Sequence, residues 1–137
     1  MRVHAAYTDE LRTVDLDTGS DGGGTTRSTA LDDVECVAAA GGTVLVGTRA
    51  GVHRSADGGE AFAGTDGVDD PVTALAVGPD GTAWLGTESS AVYRSTDGGE
   101  TWSERGGLTD LPSADRWSFP SRPDTHHVRW IEVDPTD

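Results

Sequence analysis

Apolar runs of about four to seven residues, broken by Gly, Asp and Pro, fill most of this chain. Val34-Glu-Cys-Val-Ala-Ala-Ala40 leads through Gly41-Gly42 to Thr43-Val-Leu-Val-Gly-Thr48 and then to Gly51-Val-His-Arg-Ser55. The same order returns in Val72 to Gly78, Thr82-Ala-Trp-Leu-Gly-Thr87 and Ala91-Val-Tyr-Arg-Ser95. Runs of this length between such turns predict antiparallel strands joined as hairpins. Val44-Leu45-Val46 and Ala83-Trp84-Leu85 are apolar on both faces, whereas a sheet with one wet face would alternate. Sheets packed against neighbours on both sides account for that. Ala38, Ala39, Ala74 and Ala76 suit the crowded strand nearest a common axis.

The third run of each set continues into a shared motif. Ser55-Ala-Asp57-Gly-Gly59-Glu-Ala-Phe62 and Ser95-Thr-Asp97-Gly-Gly99-Glu-Thr-Trp102 stand forty residues apart, both of the form S-x-D-x-G-x-x-(W/F). A fixed period of this size, rich in short strands, predicts propeller blades of four antiparallel strands. A fourth strand should begin near Phe62 and Trp102. The ends are out of phase with this unit. Residues 2–31 align as strands two to four of a degenerate blade, and His127-Val-Arg-Trp-Ile-Glu-Val-Asp-Pro135 aligns as a first strand.

The expected organisation is therefore all-β, a partial β-propeller of about three blades. Residues 1–33 form the degenerate blade, 34–71 and 72–105 the motif-bearing blades, 106–127 an insertion, and 128–137 the first strand of a further blade. Closed propellers need more blades than this. Either the sequence is part of a longer ring, which the abrupt stop after a turn favours, or two copies close a six-bladed one.

At Ser55–Phe62 and Ser95–Trp102 the chain resembles the BNR or Asp-box repeat family, which includes sialidases, related glycoside hydrolases, sortilin-type receptors and photosystem assembly factors. The resemblance covers residues 34–104 most securely. It implies that Ser55, Asp57, Gly59 and Phe62, with Ser95, Asp97, Gly99 and Trp102, build the hairpin between a blade's third and fourth strands. The chemistry agrees: a turn carboxylate accepts bonds from nearby backbone N–H groups, and glycine permits positive φ. Asp57 and Asp97 recur at equivalent positions, whereas catalytic residues are usually singular, so they read as structural. Arg54, Arg94, Glu60 and Glu100 repeat as well and read as servants of the hairpin.

Charge narrows the picture. The sequence has 24 acidic residues against 10 basic ones, a net charge of -14, and every basic residue is arginine. Self-repulsion of that size is largely screened at a Debye length of about 3 Å, near 1 M salt, which points to a salt-adapted protein of haloarchaeal type. The same field repels phosphate backbones, so nucleic acid is not an expected partner. The lone cysteine, Cys36, lies in an apolar run and reads as core. No signal-peptide run or membrane span is present in the sequence, and a cytoplasmic location is the expectation.

Candidate chemistry is sparse. Sialidase-like enzymes would require an arginine triad, a tyrosine nucleophile paired with Glu, and an Asp acid. Their early Arg-Ile-Pro motif is absent, Phe119-Pro-Ser-Arg-Pro123 is a loose echo in the wrong order, and Tyr93 belongs to the repeat. A retaining or inverting carboxylate pair stays open because acidic residues are abundant. Asp15 to Gly22 lacks the spacing of a calcium loop, and His126-His127 lack a third ligand, so no metal or cofactor is expected. Residues 106–127 form a long insertion, and such loops are often functional. Arg116, Trp117, Phe119, Arg122 and His126 make it the one place where rings and cations cluster outside the repeat. The reading is a non-catalytic scaffold presenting loops to a protein or glycan partner. The rival is a glycoside hydrolase-like enzyme whose active site lies partly outside this chain.

Overall fold

The computed structural model describes residues 1–16, 24–117 and 126–134. These contain eleven strands in three antiparallel sheets and one turn of 3-10 helix over Ala114–Arg116. The all-β expectation holds. Among the described residues no helix is long and apolar enough to cross a membrane.

The first sheet has the order β1-β2-β3, with β1 (Arg2–Tyr7), β2 (Glu10–Asp15) and β3 (Thr25–Ala30). The second is β4-β5-β6-β7, with β4 (Val34–Ala40), β5 (Thr43–Thr48), β6 (Gly51–Ser55) and β7 (Ala63–Thr65). The third repeats it with β8 (Val72–Val77), β9 (Ala83–Thr87), β10 (Val92–Ser95) and β11 (Ser103–Arg105). Every strand pairs with its neighbour in sequence, as short hairpins dictate. The fourth strands are only three residues long.

The repeat extends to the irregularities. Val34 pairs with Thr48 and then Cys36 with Gly47; Val72 pairs with Thr87 and then Ala74 with Gly86. Each first strand thus carries a β-bulge after its leading valine. The glycines opposite leave no room for a side chain. A Cβ on Gly47 would lie 2.7 Å from Val72 Cγ1, and one on Gly86 would collide with Val128. Val72 and Val128 therefore each sit on a glycine of the sheet before them.

Two apolar clusters fill the gaps between sheets. Leu11, Val34, Val44 and Val46 pack between the first and second, with Phe62 against them. Leu45, Val52, Val68, Val72, Ala83 and Leu85 pack between the second and third, with Trp102 against them. Leu11, Leu45 and Leu85 are fully buried, each contributing about 1.5–3 kcal/mol. Because both faces of β5 enter a cluster, Val44, Leu45 and Val46 are all buried, which explains the run without alternation. The first sheet differs: β2 buries Leu11 and Thr13 alternately, and β3 is largely exposed.

Residues 128–134, expected as part of a first strand, join none of the three sheets; residues 135–137 lie outside the described residues. A strand is defined by a ladder of backbone bonds to a neighbour, and among the described residues no strand is formed over 128–134. Its start is nonetheless seated as a first strand should be. Val128 N–H donates to the Thr87 carbonyl at 3.1 Å, as Val34 N–H donates to Thr8 at 2.9 Å.

Candidate functional site

The two motif hairpins are built alike. In the first, the Ser55 hydroxyl donates to Asp57 Oδ1 at 2.5 Å and accepts from Gly59 N–H at 2.9 Å. Asp57 Oδ1 also accepts from the N–H groups of Glu60 and Ala61, at 3.0 and 3.1 Å. In the second, Ser95 donates to Asp97 Oδ1 at 2.6 Å and accepts from Gly99 at 2.8 Å. Glu100 and Thr101 N–H donate to Asp97 Oδ1 at 3.1 and 2.9 Å, and the Thr101 hydroxyl donates to Oδ2 at 2.5 Å. Both serines are buried.

These bonds favour the ionised carboxylates. The serine hydroxyl, then the turn amides, hold Asp57 below the usual aspartate range. Asp97 is held further below it by Ser95 and Thr101. A general acid near neutral pH needs the opposite shift.

Gly58 and Gly98, like Gly59 and Gly99, adopt positive φ, and the carbonyls of Gly58 and Gly98 take inter-sheet bonds. Arg54 Nε donates to Gly98 at 2.8 Å, and Arg2 donates to Gly58 at 2.9 Å while its other edge grips Asp15. Arg54 therefore serves the hairpin of the following sheet rather than its own. Arg94, its counterpart one repeat later, lies with its guanidinium 5.4 Å from the Trp84 ring centre. Its Nε is buried and unpartnered among the described residues.

Part of the insertion returns to the third sheet. Trp117, which caps the Ala114–Arg116 turn, meets His126 edge to face, with ring centres 6.1 Å apart. The other side of His126 is anchored by Nδ1 to the Ser90 hydroxyl at 2.8 Å. Ser90 is buried and holds positive φ in the turn after β9. The Thr73 hydroxyl donates to the Val128 carbonyl at 2.6 Å and fixes the segment that follows. Arg116 is exposed. The structure thus joins Trp117 and His126 on a Ser90 platform, with Arg116 beside Trp117 in sequence. Phe119 and Arg122 lie outside the described residues. No sequence signal marked Ser90, because its role depends on a partner 36 residues away.

Two of the clefts among the described residues lie elsewhere. One of about 480 Å³ is lined by Arg54, Thr65, Asp66, Glu100 and Trp102, where the second and third sheets meet. The other, of about 500 Å³, includes Met1, Arg2, His4 and Asp15 on the first sheet and Gly42 and Gly58 on the second. Burial, followed by the charge of Arg2, lowers the His4 pKa. Burial pushes the Cys36 thiol up to about 12, which disfavours a thiolate nucleophile. No group of three or more His, Cys, Asp or Glu among the described residues is placed to hold a metal ion.

No protein-family model and no curated protein matches the chain. A solved structure of YCF48 bound to D1 peptide is similar, with a TM-score of 0.51 and 16% identity over 72% of this chain. The chain spans 38% of that protein's length. With three antiparallel sheets packed side by side through equivalent contacts, the likeness makes this fold a partial β-propeller, and the sheets are its blades.

Proposed function

We propose that this chain is a non-catalytic β-propeller scaffold of the Asp-box type, adapted to high salt, which presents residues 106–127 to a protein partner. The observation that carries the reading is the saturation of the two repeated carboxylates. Asp57 and Asp97 each accept a serine hydroxyl and two backbone amides within their own hairpins. Groups committed in this way hold a blade together. The clustered ring chemistry then lies at Trp117 and His126, outside the repeat. YCF48, similar in fold, is bound to D1 peptide in its solved structure, which supports a peptide as the ligand class. The rival ligand is a glycan, bound or hydrolysed with residues outside this chain.

A peptide library and a glycan array probed in molar KCl separate these readings. Peptide capture that weakens at least about tenfold in Trp117→Ala, with unchanged thermal unfolding, is the expected result. Glycan capture, or turnover of a glycoside panel, overturns it.

A further inference from the structure

The junctions between blades one and two and between blades two and three are built on one register. Leu11 on β2 and Val52 on β6 are the buried residues that these strands send into the cluster shared with the next blade. Two positions further on stand Thr13 and Arg54. They pair with His4 and Leu45, the side chains that a Cβ on Gly59 or Gly99 of the next blade would meet first. On their other side Thr13 pairs with Arg27 of β3, and Arg54 with Ala63 of β7. Arg27 and Ala63 therefore hold the same place in the two junctions.

The two residues leave different junctions behind. Arg27 Nη1 reaches Glu60, in the motif hairpin of blade two, at 3.1 Å. Glu100 stands at that place in the hairpin of blade three, and the position matching Arg27 carries only the methyl of Ala63. Among the described residues no ion pair reaches the Glu100 carboxylate. Here lies the cleft of about 480 Å³, with Ala63, Thr65 and Asp66 from blade two and Glu100 and Trp102 from blade three. That volume is in the range of small-ligand sites.

The cleft is lined by two carboxylates, Asp66 and Glu100, and one guanidinium, Arg54. Arg54 is bonded to the Gly98 carbonyl, as Arg2 is to Gly58 in the first junction. Arg27 is accommodated beside Arg2 there, so this charge pattern admits a second cation. Trp102 supplies a ring face, the best aromatic partner for a cation. Its Nε1 is buried and unpartnered among the described residues, a donor that the fold leaves unmet. Alongside, β7 is the last strand of its sheet, and nothing lies within 4 Å of a Cβ placed on Gly64. An extended chain can follow such an edge and turn alternate side chains inward.

We propose that this cleft binds an arginine side chain of a partner peptide, which takes the place in the second junction that Arg27 takes in the first. The guanidinium pairs with the Glu100 carboxylate and lies against Trp102, while the peptide backbone follows the outer edge of β7. Arginine suits the site better than lysine, because its planar fork meets a carboxylate and stacks on a ring together. The net charge of -14 draws basic segments towards the protein. At molar salt that long-range attraction is screened, and the contacts of the cleft carry the binding. The cleft lies within residues 54–102, inside the repeat, and shares no residue with 106–127.

A blocked pentapeptide, one arginine flanked by glycines, titrated into the isotope-labelled chain in molar KCl and followed by NMR tests the site. Saturable shifts are expected at the Trp102 indole N–H and at the Gly64 and Glu100 amides. No saturable shift at any accessible peptide concentration, or shifts confined to other residues, overturns the proposal. The same peptide with citrulline, which keeps the shape and loses the charge, should bind at least about threefold more weakly. Glu100→Gln should weaken the arginine peptide by a similar factor. Equal affinity in either comparison overturns the assigned pairing. Ala63→Arg should fill the cleft from within, as Arg27 does, and abolish the shifts without lowering the urea midpoint. Retained binding by folded Ala63→Arg protein overturns the site. Trp117→Ala should keep the shifts, which separates this cleft from the ligand of residues 106–127; their loss in that variant, with the fold intact, overturns the assignment.

Discussion

Arg54 Nε donates to the Gly98 carbonyl at 2.8 Å, across 44 positions of sequence. The third strand of one blade thereby holds the hairpin of the next, and the hairpin can offer that carbonyl because Gly98 adopts a φ of +70°. The Ser-x-Asp turn shapes its own blade and docks it to its neighbour.

Removing that donor should loosen two blades together. Arg54→Lys keeps the charge but lacks Nε, so it should destabilise nearly as much as Arg54→Ala, by about 1.5–3 kcal/mol. Urea unfolding at constant KCl measures both. Full rescue by lysine would show that charge, not the directed bond, matters.

The buried serines should be costlier to remove than neighbouring glutamate. Ser95→Ala deletes a hydroxyl that is 2% exposed and bonded to both Asp97 and Gly99. A loss of about 1–3 kcal/mol is expected. Glu100→Ala, on the exposed side of the same turn, should stay within about 0.5 kcal/mol. The same urea titration compares them, and equal losses would contradict the assigned roles.

Gly47 and Gly86 should not accept alanine. Gly47→Ala forces Val72 away from a position 2.7 Å from the new methyl, at a cost of about 1–3 kcal/mol. Gly86→Ala should instead displace Val128 and leave the blade standing. Faster amide exchange at Val128, with protection retained in β5 and β9, is the expected signature.

Acid should unfold the protein in two stages. Burial, with Arg2 adding to it, lowers the His4 pKa, so the fold prefers the neutral ring. Stability should therefore decline gently as pH falls below about 6.5, the unfolded histidine value. Asp57 and Asp97 are also lowered, chiefly by serine hydroxyls. Their contribution is fully present above about pH 3.9 and is lost as pH falls through the folded values. His4→Gln should remove the first stage, and Asp57→Asn with Asp97→Asn should flatten the second. Urea midpoints measured across pH test both signs.

Salt should stabilise the fold. The net charge is -14, and the ion pairs that salt would weaken, such as Arg49 with Glu35 and Glu88 at 3.5 and 3.6 Å, are at least partly exposed. Such pairs contribute little, so relief of repulsion should dominate. The melting temperature should climb most steeply as the Debye length shrinks from about 10 Å to about 3 Å, between 0.1 and 1 M KCl. A flat or falling melting temperature would remove the case for salt adaptation.

Much of the architecture is local, and the sequence determined it alone. Strand length follows from runs such as Thr43–Thr48, and hairpin order follows from turns one to a few residues long. The Ser-x-Asp hairpin closes within six residues of Ser95, so its chemistry could be read from spacing. Repetition is the ground for reading Asp57 and Asp97 as structural rather than catalytic.

What only the tertiary structure decided is every contact between repeats. Arg54 was legible as a repeated residue, but its acceptor belongs to the following blade. His126 was legible as a ring near Trp117, whereas the Ser90 that anchors it carries no pattern. Residues 128–134 read as a strand, and the fold withholds the ladder. The physical reason is common to all three. Periodicity records which face of a strand is apolar, but a partner distant in sequence is chosen by blade packing, and the strand itself exists only where a neighbour supplies the other half of its hydrogen bonds.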